Sequence, residues 1–221
     1  MTVIDILVKY QQALSDGLMV TFEMCLIIWT VGLFLGAILG SLAAKWRLTI
    51  GLPVRSIAFI FSGMPVLVFL FWLHYPLQSL LGIVVDPFIT AVATLTILNI
   101  FAVSEVVRIV LRDFPAQYLV AAKVCGISPF QTLLYIQLPI VLRQTIPALL
   151  MIQVNMLQCT LFASLISVNE IFRVAQQINS QVYKPVEIYT ALGLLFLAIC
   201  LPMNGLALLL RNKFTRDFSE R

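Results

Sequence analysis

Charge is what this 221-residue sequence has least of: 11% of its residues are Asp, Glu, Lys or Arg, while 61% are hydrophobic. Soluble domains carry about 25% charged residues, and a chain with less than half that share cannot wet the outside of one globule. Histidine is also scarce, with His74 alone, which excludes a histidine-based metal site or catalytic triad built within the chain. It sits between Trp72 and Tyr75, a combination typical of a membrane interface. The four cysteines, Cys25, Cys125, Cys159 and Cys200, form no CxxC pair and no metal-ligand spacing, so they read as small apolar side chains. No Gly-Lys dipeptide occurs, which excludes a Walker A phosphate loop and with it ATP hydrolysis by this chain. An internal repeat is missing too, whereas secondary transporters usually pair two related halves around their pathway. The formal net charge of +4 forms no continuous basic face with interleaved aromatics, so nucleic acid is not the expected partner.

Long apolar runs are present instead. A hydrocarbon layer of about 30 Å is crossed by about 20 helical residues, and runs of that length recur. They predict an all-α integral membrane protein of about five transmembrane helices, over 16–44, 53–75, 87–111, 140–166 and 186–210. Residues 1–15 lack a basic n-region and a small-residue cleavage site, so they read as a short interfacial segment ahead of one membrane domain over 16–221. An odd span count puts the termini on opposite sides. Lys45, Arg47, Arg55, Arg108, Arg112, Lys123, Arg143, Arg211, Lys213, Arg216 and Arg221 fall on one side and Lys9, Arg173 and Lys184 on the other, eleven against three. The positive-inside rule then places the N-terminus outside and the C-terminus in the cytoplasm.

Within the first run, Gly32, Gly36, Gly40 and Ala44 stand four residues apart along one helical stripe, a face where a second backbone can come close. The stretch 114–139 is too polar to span. Pro115 suits a first helical turn, Gly126 the left-handed position past a helix end, and Ser128 with Pro129 an N-cap followed by proline at N1, so two short helices are expected. The first places Ala121 and Ala122 side by side as a low-relief surface for another protein. Glu23 and Glu105 are carboxylates inside apolar runs, candidates for a solute pathway that favours a cationic solute. Arg108 lies three residues beyond Glu105, so a structural ion pair on one helix face is an equal reading.

At 114–139 the chain resembles the permease subunits of bacterial amino-acid ABC importers, whose signature is E-A-A-x3-G-x9-I-x-L-P. The matching residues are Ala121, Ala122, Gly126, Ile136, Leu138 and Pro139 at that spacing, with Val120 in place of the glutamate. Flanking residues agree as well: Glu105 and Arg108 before it, Ser128, Pro129, Gln131 and Thr132 within it, Arg143 and Pro147 after it. Similar segments occur at Phe61, Gly63 and Pro65 and over 163–170, so the resemblance covers nearly the whole chain from Gly17 onward.

The resemblance implies that 115–126 is a coupling helix docked on an ATPase subunit, with ATP and Mg bound in two such partner subunits and no cofactor in this chain. It further implies a second homologous permease subunit, an extracytoplasmic solute-binding protein and a place in the bacterial cytoplasmic membrane. Without the signature carboxylate, docking rests on shape and apolar contact. Where the family turns an Asn and a Tyr of the third span and a Lys-Asp pair of the fourth toward the solute, this chain has Leu98, Ala102, Gln158 and Cys159. That loss points to the force-transmitting half of a heterodimer, with Gln158 and Thr160, and Asn99 or Asn155, contributing at the edge of the site. An ion-gradient-driven secondary carrier is the alternative reading.

Overall fold

The computed structural model describes Ile6 and residues 8–219, with side chains through residue 214. The described residues form helices and no strands: α1 (Gln11–Lys45), α2 (Leu52–Gly63), α3 (Val66–Trp72), α4 (Pro87–Arg112), α5 (Ala116–Val124), α6 (Leu138–Cys159), α7 (Ile171–Val182) and α8 (Pro185–Ser219). Four unbroken stretches, Gln11–Lys45, Pro87–Arg112, Pro129–Ile166 and Pro185–Phe214, are long and apolar enough to cross a membrane. A fifth candidate is a bent pair. Residues 1–5 and 7 of the expected interfacial segment lie outside the described residues, and α1 already runs from Gln11.

Two sequence readings are corrected by how proline enters these helices. The apolar run 53–75 is not one rod: Arg47–Gly63 and Val66–Leu81 meet at 102°. Pro65 drives the break, because its ring disfavours helical backbone at the preceding residue, and Met64 is extended at φ −98°, ψ 124°. The stretch 114–139 does not hold two short helices either. Beyond α5, the turn Pro129–Gln131 continues through a π-wound turn, Thr132–Gln137, directly into α6. Wider π turns also lie at Arg47–Gly51, just ahead of Pro53, and at Leu73–Leu77 around Pro76. A proline ring collides with the carbonyl four residues earlier, and a widened turn moves that carbonyl aside while the chain stays helical.

Helices α1 and α4 make the most extensive packing in the chain. The glycine stripe is its cause. A Cβ on Gly36 would lie 2.6 Å from Val103 Cβ, and one on Gly40 would lie 2.5 Å from the Ser104 carbonyl oxygen. Hydrogen on these α-carbons therefore sets the interhelical distance. At mid-depth a polar lock joins three helices. Asn99 Nδ2 donates to the Ile28 carbonyl (2.9 Å) and to Gln153 Oε1 (3.0 Å), while Gln153 Nε2 donates back to Asn99 Oδ1 (3.2 Å). Trp29 Nε1 adds a bond to the Gln153 carbonyl. Around this lock the core gathers Met24 and Ile28 of α1, Leu70 of α3, Leu95 of α4 and Met156 of α6.

Helix α7 is short and amphipathic, burying Ile171, Val174, Ala175 and Ile178. Its four leading N–H groups are all satisfied: Ile171 by Thr21 Oγ1, Phe172 and Arg173 by the two oxygens of Glu170, Val174 by the Glu170 carbonyl. Glu170 itself is fully buried, and that burial pushes its carboxyl up to about 7 against the pull of the two N–H groups and Arg173.

Candidate coupling loop and translocation cleft

Helix α5 begins after Pro115 and ends on Gly126, whose φ of +71° is left-handed as its position in the sequence predicts. Gly126 N–H donates to the Lys123 carbonyl (3.1 Å) and Ile127 N–H to the Ala122 carbonyl (3.0 Å), the paired bonds of a Schellman stop. Ser128 then caps the next turn through a reciprocal box with Gln131. The stop at Gly126 and the turn after it are thus held by hydrogen bonds, while the N-terminal end after Pro115 has no side-chain cap.

Ala121 and Ala122 do not form one surface. Successive helical residues are about 100° apart, so Ala122 is buried while Ala121 is exposed. The outward face instead carries Val120, Val124 and Ile127, at 61%, 82% and 37% exposure, with Phe130 beyond at 70%. Val120 begins this exposed apolar ridge, where a carboxylate would put a charge at its N-terminal end. Phe114, packed beside Tyr118 with ring centroids 6.1 Å apart, anchors the helix from below. Leu138 is exposed and Pro139 half-buried, just past the π turn.

A cleft of about 1230 Å³ opens between the broken pair α2–α3, α4 and α6. One face of α4 lines it with Leu98, Phe101, Ala102 and Glu105, the i, i+3, i+4, i+7 positions of a single helical stripe. Phe61 faces them from the break, its ring 5.0 Å from that of Phe69 and 5.2 Å from that of Phe101. Asn155 supplies a polar group from α6.

Of the candidate pathway residues, Glu105 lies in this cleft, but its charge is engaged. Arg108 Nε and Nη2 donate to its two carboxylate oxygens at 2.9 and 2.5 Å, the bidentate pair expected from their spacing. Gln158 is exposed one turn beyond Asn155 and does not line the cleft. Thr160 is fully buried with its hydroxyl donating to the Leu157 carbonyl (2.7 Å), so it faces the core. Glu23 is exposed on α1 and also stands outside the cleft. Asn99 is buried in the lock with Gln153. Sequence reasoning did not find Phe61, Met64 and Arg55 as cleft residues. The signal was Gly63-Met64-Pro65 inside an apolar run, since an interrupted helix at membrane depth is tolerated where it lines a cavity.

A helical membrane bundle with an interrupted span facing a cleft and an exposed apolar helix at one end fits the class of membrane transport components. The chain belongs to the family of binding-protein-dependent transport system inner membrane components, which it matches over residues 32–216. It is 29% identical over 203 residues to the octopine transport system permease protein of Rhizobium meliloti, covering 88% of this chain and 81% of that one. The glutamine transport system permease protein of Escherichia coli K12 is 27% identical over 187 residues, 82% and 85% of the two chains. The histidine/lysine/arginine/ornithine transport system permease protein of Salmonella typhimurium is 23% identical over 217 residues, 93% and 95%. The fold superimposes on a solved amino acid ABC transporter with a TM-score of 0.82, at 23% identity over 94% of this chain and 96% of that one.

Proposed function

We propose that this chain is the membrane-spanning subunit of an ABC importer that passes polar amino acids through the cleft beside α4, driven by ATP hydrolysis in two partner ATPase subunits. The observation that carries the reading is the apolar ridge of α5, held by its hydrogen-bonded C-terminal stop and covered by none of the described residues. An ATPase groove that closes on ATP moves such a ridge as a unit, and the helices behind it rock between outward-open and inward-open states. In this reading the N-terminus is outside, α5 lies in the cytoplasm, and a binding protein delivers the solute at the opposite face of a bacterial inner membrane.

Relatives serve octopine, glutamine and the basic amino acids, which supports an amino-acid cargo. Within this cleft no described carboxylate is left unpaired to favour a basic one: Glu105 pairs with Arg108, and Arg55 lines the same wall. Because Leu98 and Ala102 leave the α4 wall apolar, we infer a heterodimer in which the second permease subunit supplies most of the solute contacts. Reconstitution into proteoliposomes with ATPase, binding protein and radiolabelled amino acids tests this. Uptake that requires ATP and both permease subunits is expected. Full uptake by this subunit alone overturns the heterodimer, and uptake that ignores ATP but collapses with an ion gradient overturns the ABC reading.

A further inference from the structure

A second cleft, of about 560 Å³, lies at the basic end of the bundle between the last turn of α1, the π turn that follows it and the last turn of α4. Four arginines line it, Arg47, Arg55, Arg108 and Arg112. Only Arg108 holds a carboxylate, Glu105; Arg47, Arg55 and Arg112 make no ion pair among the described residues. Asp113 also acts electrostatically on Arg108, and Glu105 on Arg55, without a direct ion pair. Among the described residues the site thus carries an excess of positive charge, which Glu105 and Asp113 offset only in part. Its geometry is fixed by backbone: Gly51 folds back on α1 so closely that a Cβ there would lie 2.6 Å from the Ala43 carbonyl oxygen.

What surrounds the arginines is equally specific. Leu48 and Leu52 line the same cleft and are 81% and 59% exposed. Beside them Trp46 is exposed, with Lys45 Nζ 5.0 Å from its ring centroid, the aromatic and basic pairing of a membrane interface. A free anion or an acidic peptide has no use for exposed leucines at the edge of the hydrocarbon layer. A phospholipid has both parts: a phosphate that guanidinium groups bind in bidentate fashion, and acyl chains that cover leucine. We propose that this cleft binds the phosphate headgroup of an anionic phospholipid from the leaflet at the basic end, with its acyl chains over Leu48 and Leu52. The lipid would tie the end of α1 to the end of α4 and so brace the root of α5. The inference rests on the membrane-spanning reading but not on which solute passes.

Native mass spectrometry of the full chain in detergent tests it, with phosphatidylglycerol and phosphatidylcholine offered at equal concentration. Phosphatidylglycerol is expected to bind at least tenfold more tightly. The double variant Arg47→Ala with Arg112→Ala should lose roughly 10- to 30-fold of that affinity, since each basic residue at a lipid surface contributes on the order of tenfold or less. Arg47→Lys with Arg112→Lys should keep an intermediate affinity, because charge remains while the planar fork is lost. Lys123→Ala with Arg143→Ala removes the same charge elsewhere and should change little. Equal binding of the two lipids, or equal loss in both alanine pairs, overturns the proposal. So does full displacement of the lipid by millimolar inorganic phosphate, which would make this a site for the free anion. Unchanged lipid binding with loss of a copurifying ATPase would assign the arginines to a protein contact and overturn it as well.

Discussion

Alanine at Gly40 gives the sharpest test of how this bundle is held together. Its Cβ would stand 2.5 Å from the Ser104 carbonyl oxygen, 2.9 Å from Val107 Cβ and 3.0 Å from Ser104 Cα. Two of these three atoms belong to the backbone of α4, so no rotamer change relieves the contact. The helices must part by about 1 Å, and a gap of that size forfeits a quarter to a half of the dispersion attraction of each atom pair it opens. Overpacking of this kind costs about 1–3 kcal/mol, here toward the upper end because the obstacle is backbone. Alanine recovers up to about 1 kcal/mol over glycine in helix propensity, leaving a net loss of about 2 kcal/mol. Gly193 on α8 is the control, because a Cβ there meets nothing within 4 Å, and alanine should stabilise it slightly. Titration from dodecyl maltoside into SDS, followed by circular dichroism, measures both. If Gly40→Ala unfolds at the wild-type SDS fraction, or Gly193→Ala is equally damaged, close approach along the glycine stripe is not what holds α1 to α4.

Glu170 predicts a pH dependence of known sign. Its folded-state value of about 7 lies above the ordinary 4.5, so its contribution to stability is complete below about 4.5 and is lost as pH rises through 7. Wild type should lose thermal stability between pH 5 and 8, by about 3 kcal/mol at most, while Glu170→Gln should show a flatter profile over that interval. Asn99→Leu strands the Gln153 amide in the core and should cost about 1–2 kcal/mol, part of which Gln153→Leu should restore; the coupling from the double-mutant cycle should fall near 0.6–1.7 kcal/mol. At Gly126 the left-handed backbone resists a β-branched side chain by about 1–2 kcal/mol although the space around it is open. Gly126→Val should therefore insert normally yet lower amino-acid uptake per ATP hydrolysed in the reconstituted complex, whereas Gly126→Asn should retain most of it.

The span count, the glycine stripe, the Glu105–Arg108 pair, the left-handed stop at Gly126 and the Ser128 cap were legible because each depends on residues within a few positions of one another. Hydrophobic length, helical spacing and cap chemistry are local properties of the chain, and local rules set them. The break at Pro65 was half legible: proline and glycine mark an interruption, but they do not say whether the helix bends by 102° or only kinks. What α2–α3 face after the break decides that, and the cleft beside α4 is the answer. The fates of Thr160, Gln158 and Asn99 were not legible, because all three are polar residues in apolar runs and differ only in what stands opposite. Asn99 meets Gln153, 54 residues away in sequence, and becomes part of the frame; Asn155, two positions beyond Gln153, faces the cleft. By itself the sequence determined that this chain spans a membrane and carries a short capped helix in the polar stretch between its apolar runs. Only the tertiary structure decided which of its few polar groups hold the bundle together and which line the opening, because that depends on the rotation of each helix about its axis against neighbours far away in the chain.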